Sequence, residues 1–158
     1  MKLQELINQT DLNMTTAQVK AFFLGTLVAE KPLSYSRALA ELLTENPENR
    51  NILDEELKKL WDELEGKKKI ELAQFFPKNS NLREYFEVAS EQLDFFLTAL
   101  SLAGTTPDSC KKEELAEVLN ELEEIVMELD EYLAGPGEEG EDLKELLVET
   151  WQELLVVV

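Results

Sequence analysis

The stretch that decides the fold is Leu115-Ala116-Glu117-Val118-Leu119-Asn120-Glu121-Leu122-Glu123-Glu124-Ile125-Val126-Met127-Glu128-Leu129-Asp130-Glu131-Tyr132-Leu133. Leu115, Val118, Leu122, Ile125, Leu129 and Tyr132 recur at spacings of three, four, three, four and three. That spacing sets them on one stripe of an α-helix. Leu119, Val126 and Leu133 widen the stripe beyond a strict coiled-coil seam, which suits a helix packed inside a bundle. Most of the remaining positions are acidic.

Working outward, the same signals recur on both sides. Before this helix lies an aromatic-rich segment that starts near Asn81, with Glu84 three residues on, and ends at Gly104, with Pro107 beyond. Leu93, Phe95, Phe96, Leu97, Ala99, Leu100, Leu102 and Ala103 make its second half apolar almost all round, so it is expected at the centre of the fold. Residues 51–65 read as another helix, with Ile52, Leu53, Leu57, Leu60, Trp61 and Leu64 on its inner stripe. Gly66 is expected to stop it, and Lys67, Lys68 and Lys69 suit its negative end. Residues 70–77 read as extended or irregular, with Phe75 and Phe76 tucked onto the helices. Ser34 is a cap for a helix carrying Ala38, Leu39, Leu42 and Leu43, with Pro47 beyond its end. Thr15 and Gln18 form a capping box, flanked by a Met14–Val19 staple, for a helix through Phe22, Phe23 and Leu27 that Pro32 closes. A short amphipathic turn occupies residues 2–8. After the deciding stretch, Gly135-Pro136-Gly137 makes a turn. A last helix follows, with Asp142 as its cap and Leu143, Leu146, Leu147, Thr150, Trp151, Leu154 and Leu155 facing inward. No strand pattern competes. The expectation is an all-α, single-domain bundle of six or seven helices over residues 1–158.

Composition removes several functions. The 158 residues include 34 acids, 15 bases, one cysteine and no histidine, for a net charge of −19. Without histidine there is no His-ligated metal, Ser-His-Asp triad or Cys-His dyad. One cysteine allows neither an internal disulfide nor a CxxC motif. Direct nucleic-acid binding is disfavoured, because affinity for phosphate comes from clustered Lys and Arg. No segment has the roughly 20 apolar residues of a membrane span. The first residues lack an apolar h-region and a small-residue cleavage site, which with the single thiol leads to the expectation of a cytoplasmic protein.

The charge is uneven. Residues 1–107 hold 17 acids and 12 bases, whereas residues 108–158 hold 17 acids and 3 bases, a balance of −14. The candidate partner-binding residues are Glu113, Glu114, Glu117, Glu121, Glu124, Glu128, Asp130, Glu131, Glu138, Glu139, Glu141 and Asp142. Like charges three or four residues apart repel along a helix, by a few tenths of a kcal/mol per pair, so helix stability alone would interleave lysines. Two readings stand side by side. One is a solvated outer face that keeps the protein soluble. The other is a surface for a basic protein partner, such as a nucleic-acid-binding protein whose phosphate contacts it would imitate.

Other constellations carry less. Residues 130–141 have the length of an EF-hand loop, with acids at positions 1 and 12 and Gly135 at position 6, but Tyr132 and Ala134 stand at positions 3 and 5, and the segment reads as an interhelical turn. Cys110 lies near a helix start beside Lys111 and Lys112, an arrangement expected to lower its pKa. Trp61, Trp151, Phe22, Phe23, Phe95 and Phe96 fit a core better than a ligand pocket at helical spacing. Gly25 interrupts an apolar helix, which points to a close helix–helix crossing. An enzyme of this composition would rely on buried carboxylates for metal or small-molecule chemistry, and Asp94 is its best candidate. The apolar terminal run, residues 154–158, is either buried by the bundle or a subunit contact that would make a homodimer or a larger structural assembly. No cofactor is implied.

Three stretches are similar to one family. Residues 21–29, Ala21-Phe22-Phe23-Leu24-Gly25-Thr26-Leu27-Val28-Ala29, then residues 93–104, and then residues 115–155 resemble, in order, the early, central and C-terminal helices of the YecA/YgfB-like family of small bacterial helical proteins. Asp94-Phe95 and Ala99 stand where that family's central helix has a tryptophan and an extra glycine, and the Cys/His-rich zinc module of longer relatives has no counterpart. The resemblance implies an all-α fold, a bacterial cytoplasmic setting and a non-enzymatic regulator that works through protein contacts. It carries over no catalytic residue.

Overall fold

The computed structural model describes residues 2–78 and 81–158. It contains α1 (Leu3–Asn8), α2 (Thr16–Val28), α3 (Tyr35–Leu42), α4 (Arg50–Ala73), α5 (Leu82–Leu102), α6 (Glu113–Ala134) and α7 (Gly140–Val157), with a 3-10 turn at Pro47–Asn49. Among the described residues there is no strand, so the all-α bundle expected from the sequence is what forms.

The helix starts follow their caps. Thr15 Oγ1 accepts from the Gln18 amide at 3.1 Å, and the Gln18 side chain accepts from the Thr15 amide at 3.0 Å. Ser34 and Asn81 cap α3 and α5 through the amides of Arg37 and Glu84. Gly104, at φ 83°, ends α5. There the Thr105 amide donates to the Leu100 carbonyl and the Gly104 amide to that of Ser101, the paired bonds of a Schellman cap.

The centre of the bundle is α2 rather than α5. Every residue of α2 from Ala21 to Leu27 is buried, whereas α5 leaves Leu102 exposed and Phe95 and Leu97 half-buried. The two helices form the closest pair, and Gly25 is the reason. A Cβ at Gly25 would lie 2.5 Å from the Phe96 carbonyl oxygen and 2.7 Å from the Ala99 Cβ. Only a hydrogen fits between these backbones.

Two boundaries differ from expectation. Helix α4 does not stop at Gly66. It passes through a kink at Lys67 (φ −132°, ψ 25°) and continues to Ala73, so residues 70–73 are helical rather than irregular. The second piece is held from outside: Leu72 is fully buried, and the Trp151 indole N–H donates to the Leu72 carbonyl at 2.7 Å. Phe75 stacks on Trp151 at 4.6 Å and Phe76 meets the same ring edge-on at 5.0 Å, the tucked aromatic pair read from the sequence. Helix α7 starts at Gly140, with Glu139 at the cap position, so Asp142 sits in the first turn and is not the cap.

Side chains expected inside follow the helix register, with exceptions. Phe22, Phe23, Trp61, Phe96 and Trp151 are core residues. Ile52 and Leu146 are exposed instead. Leu154 is fully buried, Leu155, Val157 and Val158 are half-buried against the core, and Val156 is 85% exposed, so most of the terminal run belongs to the bundle.

Candidate functional site

The twelve candidate acids are all exposed, but they do not form one patch. Helical geometry of about 100° per residue sorts them. Glu113, Glu114, Glu117, Glu121, Glu124, Glu128 and Glu131 share one face of α6 beside its buried stripe. Asp130 falls on the opposite edge, where its carboxylate accepts from the Ser90 hydroxyl of α5 at 3.0 Å. Glu141 points away from α6 by the same geometry. Glu149, at the end of the acidic stretch 138–149, and Glu153 beyond it share a face with Asp142 and Leu146 at spacings of four, three and four, and both are exposed.

Where α6 meets α7 this face becomes concave. A groove of about 450 Å³ opens there. Its rim carries Glu128, Glu131, Glu138, Glu139 and Asp142, and its floor is Tyr132, Leu143 and Leu146 with the Pro136-Gly137 turn. Leu146 is 43% exposed. The floor is held in place. The Tyr132 ring meets Phe86 edge-on at 4.9 Å. A Cβ at Gly137 or Gly140 would come within 3.1 or 2.8 Å of that ring, so both glycines let the turn lie against it. Glu139 adopts φ 59°, ψ 28°, a left-handed conformation that costs a non-glycine residue about 1–2 kcal/mol.

The charges of the rim divide by structural role. Glu113, Glu114, Glu141 and Asp142 lie in the first turns of α6 and α7, where the helix dipole favours acids. Glu131 lies in the last turn of α6, where the dipole opposes it, and Glu128 lies about a turn earlier. Among the described residues, none of the ion pairs includes an acid of residues 108–158. Two of the three bases of that region are engaged elsewhere. Lys112 Nζ donates to the Val157 carbonyl at 2.6 Å, and Lys144 lies over the Tyr85 ring at 4.6 Å.

The other candidates separate from this groove. Cys110 is half-buried, and its thiol is pushed up because burial and the Glu30 carboxylate outweigh the lowering effect of Lys112. The Lys111 and Lys112 amides are engaged by Glu30, whose two carboxylate oxygens accept from them at 2.9 and 3.0 Å. These bonds, led by the one from Lys111, hold the Glu30 carboxyl below its ordinary value. Asp94 is exposed, and the buried polar residues are Thr26, Asn49, Thr105 and Thr150, none of them a carboxylate. Residues 130–134 are helical, so the stretch of EF-hand length is a helix end and a turn. Among the described residues, no three acidic or cysteine side chains come together as a metal site. A second cleft, of about 240 Å³, contains the Lys20–Glu71 pair at 3.7 Å, so its cation is already matched. No helix among the described residues is long and apolar enough to cross a membrane.

Fold and groove together define an all-α bundle with an unpaired acidic face along its last two helices. No family model, curated protein or solved structure matches the chain.

Proposed function

We infer that this is a non-enzymatic interaction protein that binds a basic protein partner through the acidic face of α6 and α7, masking that partner's cationic surface. The observation that carries the reading is the unpaired charge near the C-terminal end of α6. Glu131, in the last turn, opposes the dipole of its own helix, and neither it nor Glu128 is ion-paired, although Arg83 reaches that helix end to donate to the Leu133 carbonyl. A face built only for solubility has no need to place acids there. A bacterial cytoplasmic regulator, as the resemblance to the YecA/YgfB-like family implies, fits the same reading. The competing enzyme reading needs inward carboxylates, and Asp94 does not supply one.

The test is affinity capture from nuclease-treated lysate of the source cell at low and high salt, comparing the native chain with a variant carrying E117K, E121K, E124K and E128K. These positions are exposed, and circular dichroism of the variant checks that its fold is kept. The expected result is a basic protein held at low salt, released at high salt and absent from the variant. Equal capture by the variant overturns the reading.

A further inference from the structure

We propose that the groove between α6 and α7 seats a short basic, amphipathic segment of the partner, with one apolar side chain on Leu146 and Tyr132 and flanking lysines or arginines among the rim carboxylates. This rests on the acidic-face reading and makes it specific. A purely electrostatic surface is polar throughout, whereas here Leu146, Leu143 and Tyr132 lie in a groove between acids of α6, the turn and the start of α7. Leu146 is the clearest case: it is 43% exposed next to fully buried Leu147. The groove, about 450 Å³ and open to solvent, has room for a large side chain. Its floor is fixed by Phe86 and by the two glycines against Tyr132, so little ordering is required on binding.

Charge selects the occupant. A second copy of this chain would bring another net −19 against the same rim, a like-charge contact that costs several kcal/mol across an interface. A cation alone is poorly matched, because among the described residues the acids do not converge three at a time. A basic segment neutralises the separate carboxylates one by one while its apolar side chain covers Leu146. Charge then sets the speed and salt dependence of association, and the apolar contact sets the lifetime.

The experiment uses the full chain and two fluorescein-labelled synthetic peptides of equal charge, an oligolysine and a Lys/Arg peptide with one central leucine, followed by anisotropy at low salt. The leucine peptide is expected to bind about tenfold more tightly, the equivalent of burying one large apolar side chain. L146S removes that advantage, V148S on another face of α7 keeps it, and the E128K/E131K double variant weakens both peptides. Circular dichroism confirms that each variant is folded. Equal affinity for the two peptides overturns the groove but leaves the acidic-face reading standing. Binding of neither peptide overturns both. Self-association of the chain that L146S abolishes assigns the groove to a second copy and overturns the proposal.

Discussion

Replacing Gly25 with alanine tests the helix crossing on which the bundle is built. In an ordinary helix interior the substitution stabilises by about 1 kcal/mol, because alanine restricts the unfolded chain and favours the helix. Here the new methyl would stand 2.5 Å from the Phe96 carbonyl oxygen and 2.7 Å from the Ala99 Cβ. Carbon atoms in contact sit about 3.5–4.0 Å apart, so α2 and α5 must separate by about 1 Å. The obstacle is main chain, which has no rotamer to change. Overpacking costs about 1–3 kcal/mol, and a backbone clash belongs at the upper end. The net expectation is destabilisation by about 2 kcal/mol. With a urea dependence of about 2 kcal/mol per molar, the unfolding midpoint falls by about 1 M. Trp61 and Trp151 are both buried, so their fluorescence reports the transition. Gly66 supplies the control, since a Cβ there meets nothing within 4 Å, and G66A is expected to raise the midpoint by up to about 0.5 M. If G25A unfolds at the same urea concentration as the native chain, or a higher one, the helices do not cross at Gly25.

Three further outcomes follow from single contacts. Glu30 is held ionised by the amides at the start of α6, so its contribution is complete above its ordinary pKa of 4.5 and is lost as pH falls through its lower folded value; E30Q should unfold with a weaker dependence on acid in that window, and an unchanged pH profile refutes the capping role. W151F removes the indole bond to the Leu72 carbonyl and part of a stacked ring, and is expected to cost about 2 kcal/mol by urea unfolding, with hydrogen exchange rising first at the end of α4; protection that stays unchanged there counts against the contact. L154A is expected to cost about 2–5 kcal/mol while V156S changes stability by less than about 0.5 kcal/mol, and similar losses at both sites would mean that the terminal run is buried throughout.

The parts of the fold that were legible in the sequence are those in which local chemistry and packing agree. The capping residues Thr15, Ser34 and Asn81 and the glycine at 104 each signal their own boundary, and the three-four spacing of α6 signals its buried face. The differences arise where tertiary contacts decide. Residues 70–73 stay helical because Trp151, from the far end of the chain, reaches the Leu72 carbonyl. Helix α2 is the centre because Gly25 lets α5 approach, and its helix is so uniformly buried that it lacks the two-sided pattern that marks a face. The acidic face was visible as composition, but the groove was not. Leu143 and Leu146 read as inward residues like Leu147, and only the position of α7 against Tyr132 leaves Leu146 open. Asp130 carried the same signal as Glu131, yet one step of helix rotation places it against Ser90.

The most direct test of the acidic groove is a titration of the full, isotopically labelled chain with the leucine-bearing basic peptide, read by amide chemical shifts. The account predicts saturable shifts concentrated at the end of α6, the turn at residues 135–139 and the start of α7, reaching Glu149 and Glu153, and lost when salt shortens the Debye length well below about 10 Å. Shifts centred on the cleft lined by Lys20, Glu71 and Gln92, or spread evenly over every acidic residue of the surface, would contradict it.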